Sequence, residues 1–229
     1  MVQQNGNWFL LATIDLQEPP VKRPVKWLGV DLGEVNIAVD STGETFTADK
    51  IEAKRQKYFK HRQRLQKRNS KSSRRKVRRV GHREARFRRD VNHCISKHLV
   101  RKAIGTDSGI ALEDLTGIRE RTTVRWEQRA KRAGWSFWQL RAFLEYKAMQ
   151  DGVAVCLVNP RNTSRTCSVC GYCSKHNRKS QSQFKCGQCG HAENADLNAA
   201  KNIANRAAVN QPIVSPSGGA SQRSLVVGC

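Results

Sequence analysis

At 229 residues the chain is long enough to bury one sizeable core and to carry a small inserted unit. Its 42 Lys and Arg against 19 acidic residues leave a net charge of +23. A folded protein tolerates that self-repulsion best beside a polyanion, so nucleic acid is the first partner to consider. No apolar run approaches the roughly 20 residues that span a bilayer. The apolar stretch Trp8 to Ile14 has neither the basic flank nor the small-residue cleavage site of a secretory signal, and the chain reads as cytoplasmic.

In chain order, Val2 to Leu16 ends in a strand-like alternation, and Pro19, Pro20 and Pro24 then make a linker. Trp27 to Gly33 predicts a short buried strand closing on Asp31; Ile37 to Val39 and a segment near Phe46, with a turn at Gly43, predict the rest of an antiparallel meander. Residues 50–102 hold 22 Lys or Arg and three acidic residues, with one Gly and no Pro, so basic helices are expected there. Within them Phe87, Val91, Ile95 and Leu99 recur every fourth residue and form one apolar face. Gly109 to Leu112 predicts a strand running into Glu113. A helix follows from about Trp135 to Met149, with a face of Phe137, Leu140, Leu144 and Ala148. Val153 to Val158 is β-branched and apolar between Gly152 and Pro160, as in a buried strand. Ala195 to Ala208 suits a last helix, and the Ser, Gly and Pro mixture after Pro212 suggests a disordered tail.

Five of the eight cysteines lie between positions 167 and 189. Cys167-x2-Cys170 and Cys186-x2-Cys189 have the spacing of two tight knuckles that together offer four thiolates to a structural zinc. Gly171 and Gly190 each follow the second cysteine of a pair, where a knuckle backbone needs a permissive residue. Cys173, His176 and His191 are left out of the ligand set. Four thiolates close the coordination sphere, so this zinc stabilises fold and carries no chemistry.

Asp31 and Glu113 each end a predicted strand, and Asp196 opens the last helix. Strand ends and helix starts converge on one edge of an α/β sheet, and hard oxygen ligands gathered there are what Mg²⁺ requires. By position alone a solvated or helix-capping carboxylate is the plainer alternative, most of all for Asp196.

Five motifs sharpen this reading: Gly29-Val-Asp31-Leu-Gly33, Ile110 to Leu115 around Glu113, Thr166 to Gly171, Phe184 to His191, and Asn194 to Asn202 around Asp196. Together, over about Val25 to Ala208, they resemble the RuvC-like nuclease part of the TnpB (OrfB) transposon family and the related compact type V CRISPR effectors. The resemblance implies an α/β, RNase H-like (RuvC-like) domain with inserted basic helices and a four-cysteine zinc ribbon. It implies RNA-guided, Mg²⁺-dependent DNA cleavage, with Asp31, Glu113 and Asp196 as the magnesium ligands and guide RNA and target DNA as partners. Arg178 matches a family arginine directed at the scissile phosphate, with a solvated basic loop residue as the alternative. The resulting layout is a remnant of a wedge-like barrel with its linker at 1–24, the first part of the RuvC-like domain at 25–163 and the ribbon at 164–192. The final helix takes 193–209 and the tail 210–229.

Lys71, Arg74, Arg75, Lys76, Arg78, Arg79 and Arg83 resemble the family's basic helices, which track duplex phosphates by shape. Trp126, Trp135 and Trp138 read as core residues in preference to base-stacking platforms. Family members carry a wedge barrel and a helical recognition region ahead of the first acidic motif, where this chain has about 26 residues. That departure implies a shortened or split member, with a partner chain standing in for the region. A non-cleaving nucleic-acid-binding module or inactive transposon remnant is the alternative function.

Overall fold

The computed structural model describes all residues except 5–6, 11, 13–18, 34, 117–136 and 210–229. Near the amino terminus β1 (Val2–Gln4) and β2 (Asn7–Phe9) form a two-stranded antiparallel hairpin. The central sheet comprises β3 (Lys26–Asp31), β4 (Asn36–Asp40), β5 (Thr45–Thr47), β6 (Ser108–Glu113) and β7 (Val155–Val158). In space the strands run β5-β4-β3-β6-β7; the first three are antiparallel, as the meander predicts, and β3, β6 and β7 are parallel. The expected buried strand at 153–158 is corrected in one respect. β7 is an edge strand whose buried Cys156 and Val158 alternate with half-buried Val155 and Leu157.

Helices cover both faces of this sheet. On one face α2 (Lys71–Gly105) and α3 (Phe137–Gln150) bring Ile95, Leu99, Leu140 and Leu144 onto Leu28, Val30, Ile110 and Leu112 in one apolar cluster. On the other, α4 (Ala195–Val209) places Ile203 and Ala207 against Ala111, Cys156 and Val158. The alternation of Ala111 with Ile110 and Leu112 along β6 is what serves two faces at once. Gly29 lets α4 cross β3 at backbone contact: a Cβ there would lie 2.0 Å from the Ala200 carbonyl oxygen.

The basic segment is a helical hairpin of α1 (Asp49–Lys67) and α2. Asn69, at φ 41°, breaks the chain between them, and Ser70 then caps α2 by exchanging hydrogen bonds with Ser73. Arg62 pairs with buried Glu84 at 3.0 Å and the Lys54 ammonium sits 3.9 Å over the Phe87 ring, so part of the expected apolar face seals the hairpin and not the sheet. At the far end of α2, Lys102 bonds to fully buried Asp40 and, at 2.7 Å, to Glu44. Among the described residues no helix is long and apolar enough to cross a membrane.

Candidate active site

The register of the parallel strands sets two of the three predicted carboxylates side by side. Gly29 pairs with Ala111 and Val30 with Leu112, so Asp31 and Glu113 leave the same end of adjacent strands. Asp196 reaches that edge from the first turn of α4, where the Asn194 side chain caps the backbone N–H groups of Asp196 (2.9 Å) and Leu197 (3.2 Å). Burial, followed by the negative charges of Glu113 and Asp196, holds the Asp31 carboxyl up to about 7. Burial raises Glu113 as well, against the hydrogen bond from the Thr163 hydroxyl.

The three carboxylates share one electrostatic field without collapsing into a cluster. Their oxygens are not all within 4.8 Å of one another, a spacing that among the described residues the four cysteines alone satisfy. Two of them accept hydrogen bonds from neutral side chains. Asn36 Nδ2 donates to Asp196 Oδ2 at 2.9 Å and Thr163 donates to Glu113 Oε1. Arg178 comes from the ribbon: its Nη2 donates to Asp196 Oδ1 at 3.3 Å and to the Gln181 carbonyl at 3.0 Å. It therefore faces the acidic centre and is not a free loop residue. Asn36 and Thr163 escape sequence reasoning because neither residue type nor spacing marks a neutral donor whose partner lies 160 or 50 positions away.

Cys167, Cys170, Cys186 and Cys189 come together as the paired spacing predicts. The Cys167–Cys189 and Cys170–Cys186 sulfurs lie 3.7 and 3.6 Å apart. Zn–S bonds of about 2.3 Å in a tetrahedron require edges of roughly 3.8 Å, so the donor set fits zinc. Gly171 and Gly190, at φ 76° and 75°, adopt the left-handed turn expected of knuckle glycines. Two short strands, β8 (Gln183–Lys185) and β9 (Ala192–Asn194), complete the ribbon. His191 lies 2.9 Å from Glu193, outside the ligand set, and Cys173 and His176 also take no part in it.

Lys71, Arg74, Arg75, Lys76, Arg78, Arg79 and Arg83 are all exposed on the first turns of α2. Trp138 departs from the core expectation. It is 51% exposed on α3, with the Arg141 guanidinium 5.2 Å from its ring. Trp126, Trp135 and the tail after Pro212 lie outside the described residues.

Residues 11–116 match the family model described as a probable transposase, OrfB of IS605, and residues 137–203 match the Cas12f1-like TNB domain. A TnpB-like protein of Methanocaldococcus jannaschii is 31% identical, over 87% of this chain and 79% of its own length. The putative RNA-guided DNA endonuclease InsQ of Escherichia coli is 31% identical over 88% of this chain and 54% of InsQ. The CRISPR-associated endodeoxyribonuclease Cas12f1 of Sulfoacidibacillus thermotolerans is 41% identical over 52% of this chain. The chain belongs to the TnpB (OrfB) family and is related to the compact type V effectors. It spans only 27% of that Cas12f1 and about half of InsQ. In fold it is similar to the protein in a Cas12f1–sgRNA–target DNA complex, with a TM-score of 0.64 at 24% identity over 82% of this chain and 51% of that one.

Proposed function

We propose that this chain carries the nuclease centre of an RNA-guided DNA endonuclease of transposon type, on an RNase H-like (RuvC-like) sheet. Asp31, Glu113 and Asp196 would hold magnesium, and the four cysteines a structural zinc. The observation that carries the reading is the convergence of three carboxylates from two parallel strands and a crossing helix, close enough that Glu113 and Asp196 both raise Asp31. Three hard oxygen donors that repel one another suit a doubly charged cation, so the donor set fits. Bound there, divalent ions supply the Lewis-acid charge that activates a water and stabilises the leaving oxygen of a phosphodiester.

The chain's own residues do the rest. Asp31 and Glu113 present their carboxylates from strand ends whose backbones the core holds rigid, so little reorganisation accompanies ligand binding. Arg178 sits beside Asp196, within reach of a phosphate that approaches the acidic edge, where its planar fork can take two oxygens. The exposed arginines and lysines from Lys71 to Arg83 would carry the phosphate backbone of a guide–target duplex, read by shape and charge. Support for RNA guidance and a DNA target comes from the relatives, InsQ and Cas12f1.

The test is cleavage of labelled single-stranded and duplex DNA by wild type and Asp31→Ala, with Mg²⁺ or EDTA and with or without a candidate guide RNA. Wild type should cut only with Mg²⁺, and Asp31→Ala should lose cleavage while binding DNA as before. An Asp31→Ala protein that cuts as fast as wild type would remove the proposed centre. Tight binding with no cleavage under any condition would favour the binding-module function instead.

A further inference from the structure

The geometry points to Asn36 and Thr163 as positioning residues for the acidic centre, each fixing one carboxylate oxygen and with it the orientation in which Asp196 and Glu113 face a divalent cation. The inference rests on the metal-centre reading above. Thr163 is 3% exposed in the loop after β7, and its hydroxyl meets Glu113 Oε1. Its carbonyl accepts from Asn202 Nδ2 at 2.8 Å, and the same amide group donates to the Thr166 carbonyl at 2.7 Å. Asn202 lies on α4, which also carries Asp196. The Glu113 carboxylate on β6 is therefore oriented against the helix that presents Asp196. Asn36, the first residue of β4, reaches across to Asp196 Oδ2 at 2.9 Å. Glu113 and Asp196 are thus each held by a residue from an element other than their own.

The chemistry of the two donors matters as much as their placement. A lysine or arginine at these positions would also hold a carboxylate, but it would cancel the negative field that attracts a metal. An acidic partner would deepen the repulsion among the three anions. An amide and a hydroxyl fix direction and add no positive charge to that of Arg178, which already pairs with Asp196 Oδ1 at 3.3 Å. Asp31, with the Leu32 backbone N–H as its hydrogen-bond donor, gains no such side-chain holder among the described residues. Asn36 and Thr163 thus act through Asp196 and Glu113.

Mn²⁺ binding to the zinc-loaded full chain, followed by titration calorimetry, tests this without relying on cleavage. Wild type should take up Mn²⁺ at a site that Asp31→Ala abolishes. Thr163→Val, which keeps shape and removes the hydroxyl, should weaken that uptake by about 10- to 100-fold, and Asn36→Leu by a similar factor. Thr163→Ser should restore most of the affinity, and zinc content and Tm should stay at wild-type values throughout. Should Thr163→Val not fold, Asn36→Leu at its half-buried position decides alone. Variants that bind Mn²⁺ as tightly as wild type, or Thr163→Ser binding as weakly as Thr163→Val, would overturn the positioning role and leave the metal centre standing. A wild type with no Asp31-dependent uptake would overturn both.

Discussion

The central sheet and the cysteine ribbon become ordered by opposite routes. The sheet is sandwiched between apolar clusters on both faces, with Val30, Ile110, Leu112, Leu140, Leu144 and Ile203 all fully buried. The ribbon's buried cluster is Cys167, Phe184, Cys186 and Ala195, and its strands are three residues each, too little for a stable fold in water. Buried Asn177 adds cross-links, donating to the Arg165 (3.0 Å) and Tyr172 (3.1 Å) carbonyls and accepting from Gly187 N–H at 3.0 Å. Those bonds define a shape but provide little net stability. The sheet can therefore hold Asp31 and Glu113 on its own, whereas Asp196 depends on both regions. Its helix is packed on β3, but the first turn is capped by Asn194 of the ribbon, and the Ala195 N–H donates to the Ser182 carbonyl at 3.0 Å.

The largest effect should come from Cys186→Ser or from stripping the zinc. Structural zinc contributes about 10–16 kcal/mol of apparent binding free energy, so the ribbon should unfold when it is lost. Hydrogen exchange should show residues 166–194 and the first turn of α4 losing protection while β3, β6 and β7 keep theirs, and elemental analysis should show zinc falling from about one per chain to none. A sheet that unfolds together with the ribbon would break the contrast between the two regions.

Lys102→Met probes the sheet end of the comparison. Burial alone would raise Asp40, but hydrogen bonds from Lys102, from Thr42 and from the Glu44 backbone more than offset it and hold its carboxyl below the ordinary range. Because the folded value is depressed, this stabilisation is fully present above the unfolded value of 3.8 and is lost as pH falls through the folded one. For Lys102 the shift is upward, so its share is complete below 10.5 and disappears as pH rises past the folded value. At pH 7 Lys102→Met should destabilise by about 3–5 kcal/mol, since a buried carboxylate loses its partner. In urea titrations the deficit should shrink as the buffer is taken into the acid range. A deficit independent of pH would mean lost packing and not lost charge.

Smallest in stability is the triple change of Arg75, Arg78 and Arg79 to Gln. These side chains are exposed, so the unfolding free energy should stay within about 0.5 kcal/mol of wild type. Duplex binding should nonetheless lose salt dependence, by up to about 0.9 in the log–log slope for each phosphate contact removed. A slope unchanged by the triple substitution would place the docking surface elsewhere and make the α1–α2 hairpin structural only.

Much of this layout is legible in sequence because its signals are local. Cysteine pairs with two residues between them specify knuckles, apolar runs specify strands, and the strand ends at Asp31 and Glu113 fall where those runs stop. What is not legible depends on tertiary pairing. The helix break at Asn69 is hidden because Ser70 finds its capping partner in Ser73, where a capping box usually has Glu or Gln. Asn92 and Ser96 interrupt the apolar face of α2 yet are buried, because Gln139 accepts from the first at 3.0 Å and Lys147 donates to the second at 2.6 Å. β7 reads as fully buried from its composition, but strand order decides that it lies at an edge.

The close approach at Gly29 bears on how this centre can be engineered. Where α4 crosses β3 there is no side chain to shorten or lengthen, and an added methyl would meet the Ala200 carbonyl at 2.0 Å and the Ala204 nitrogen at 2.6 Å. The spacing between the strand that ends in Asp31 and the helix that carries Asp196 in its first turn is therefore a property of main chain. Efforts to retune the cation preference of the proposed metal centre have little purchase along that axis. The adjustable coordinate is the Glu113 side, where a loop residue and not a backbone contact sets the reach.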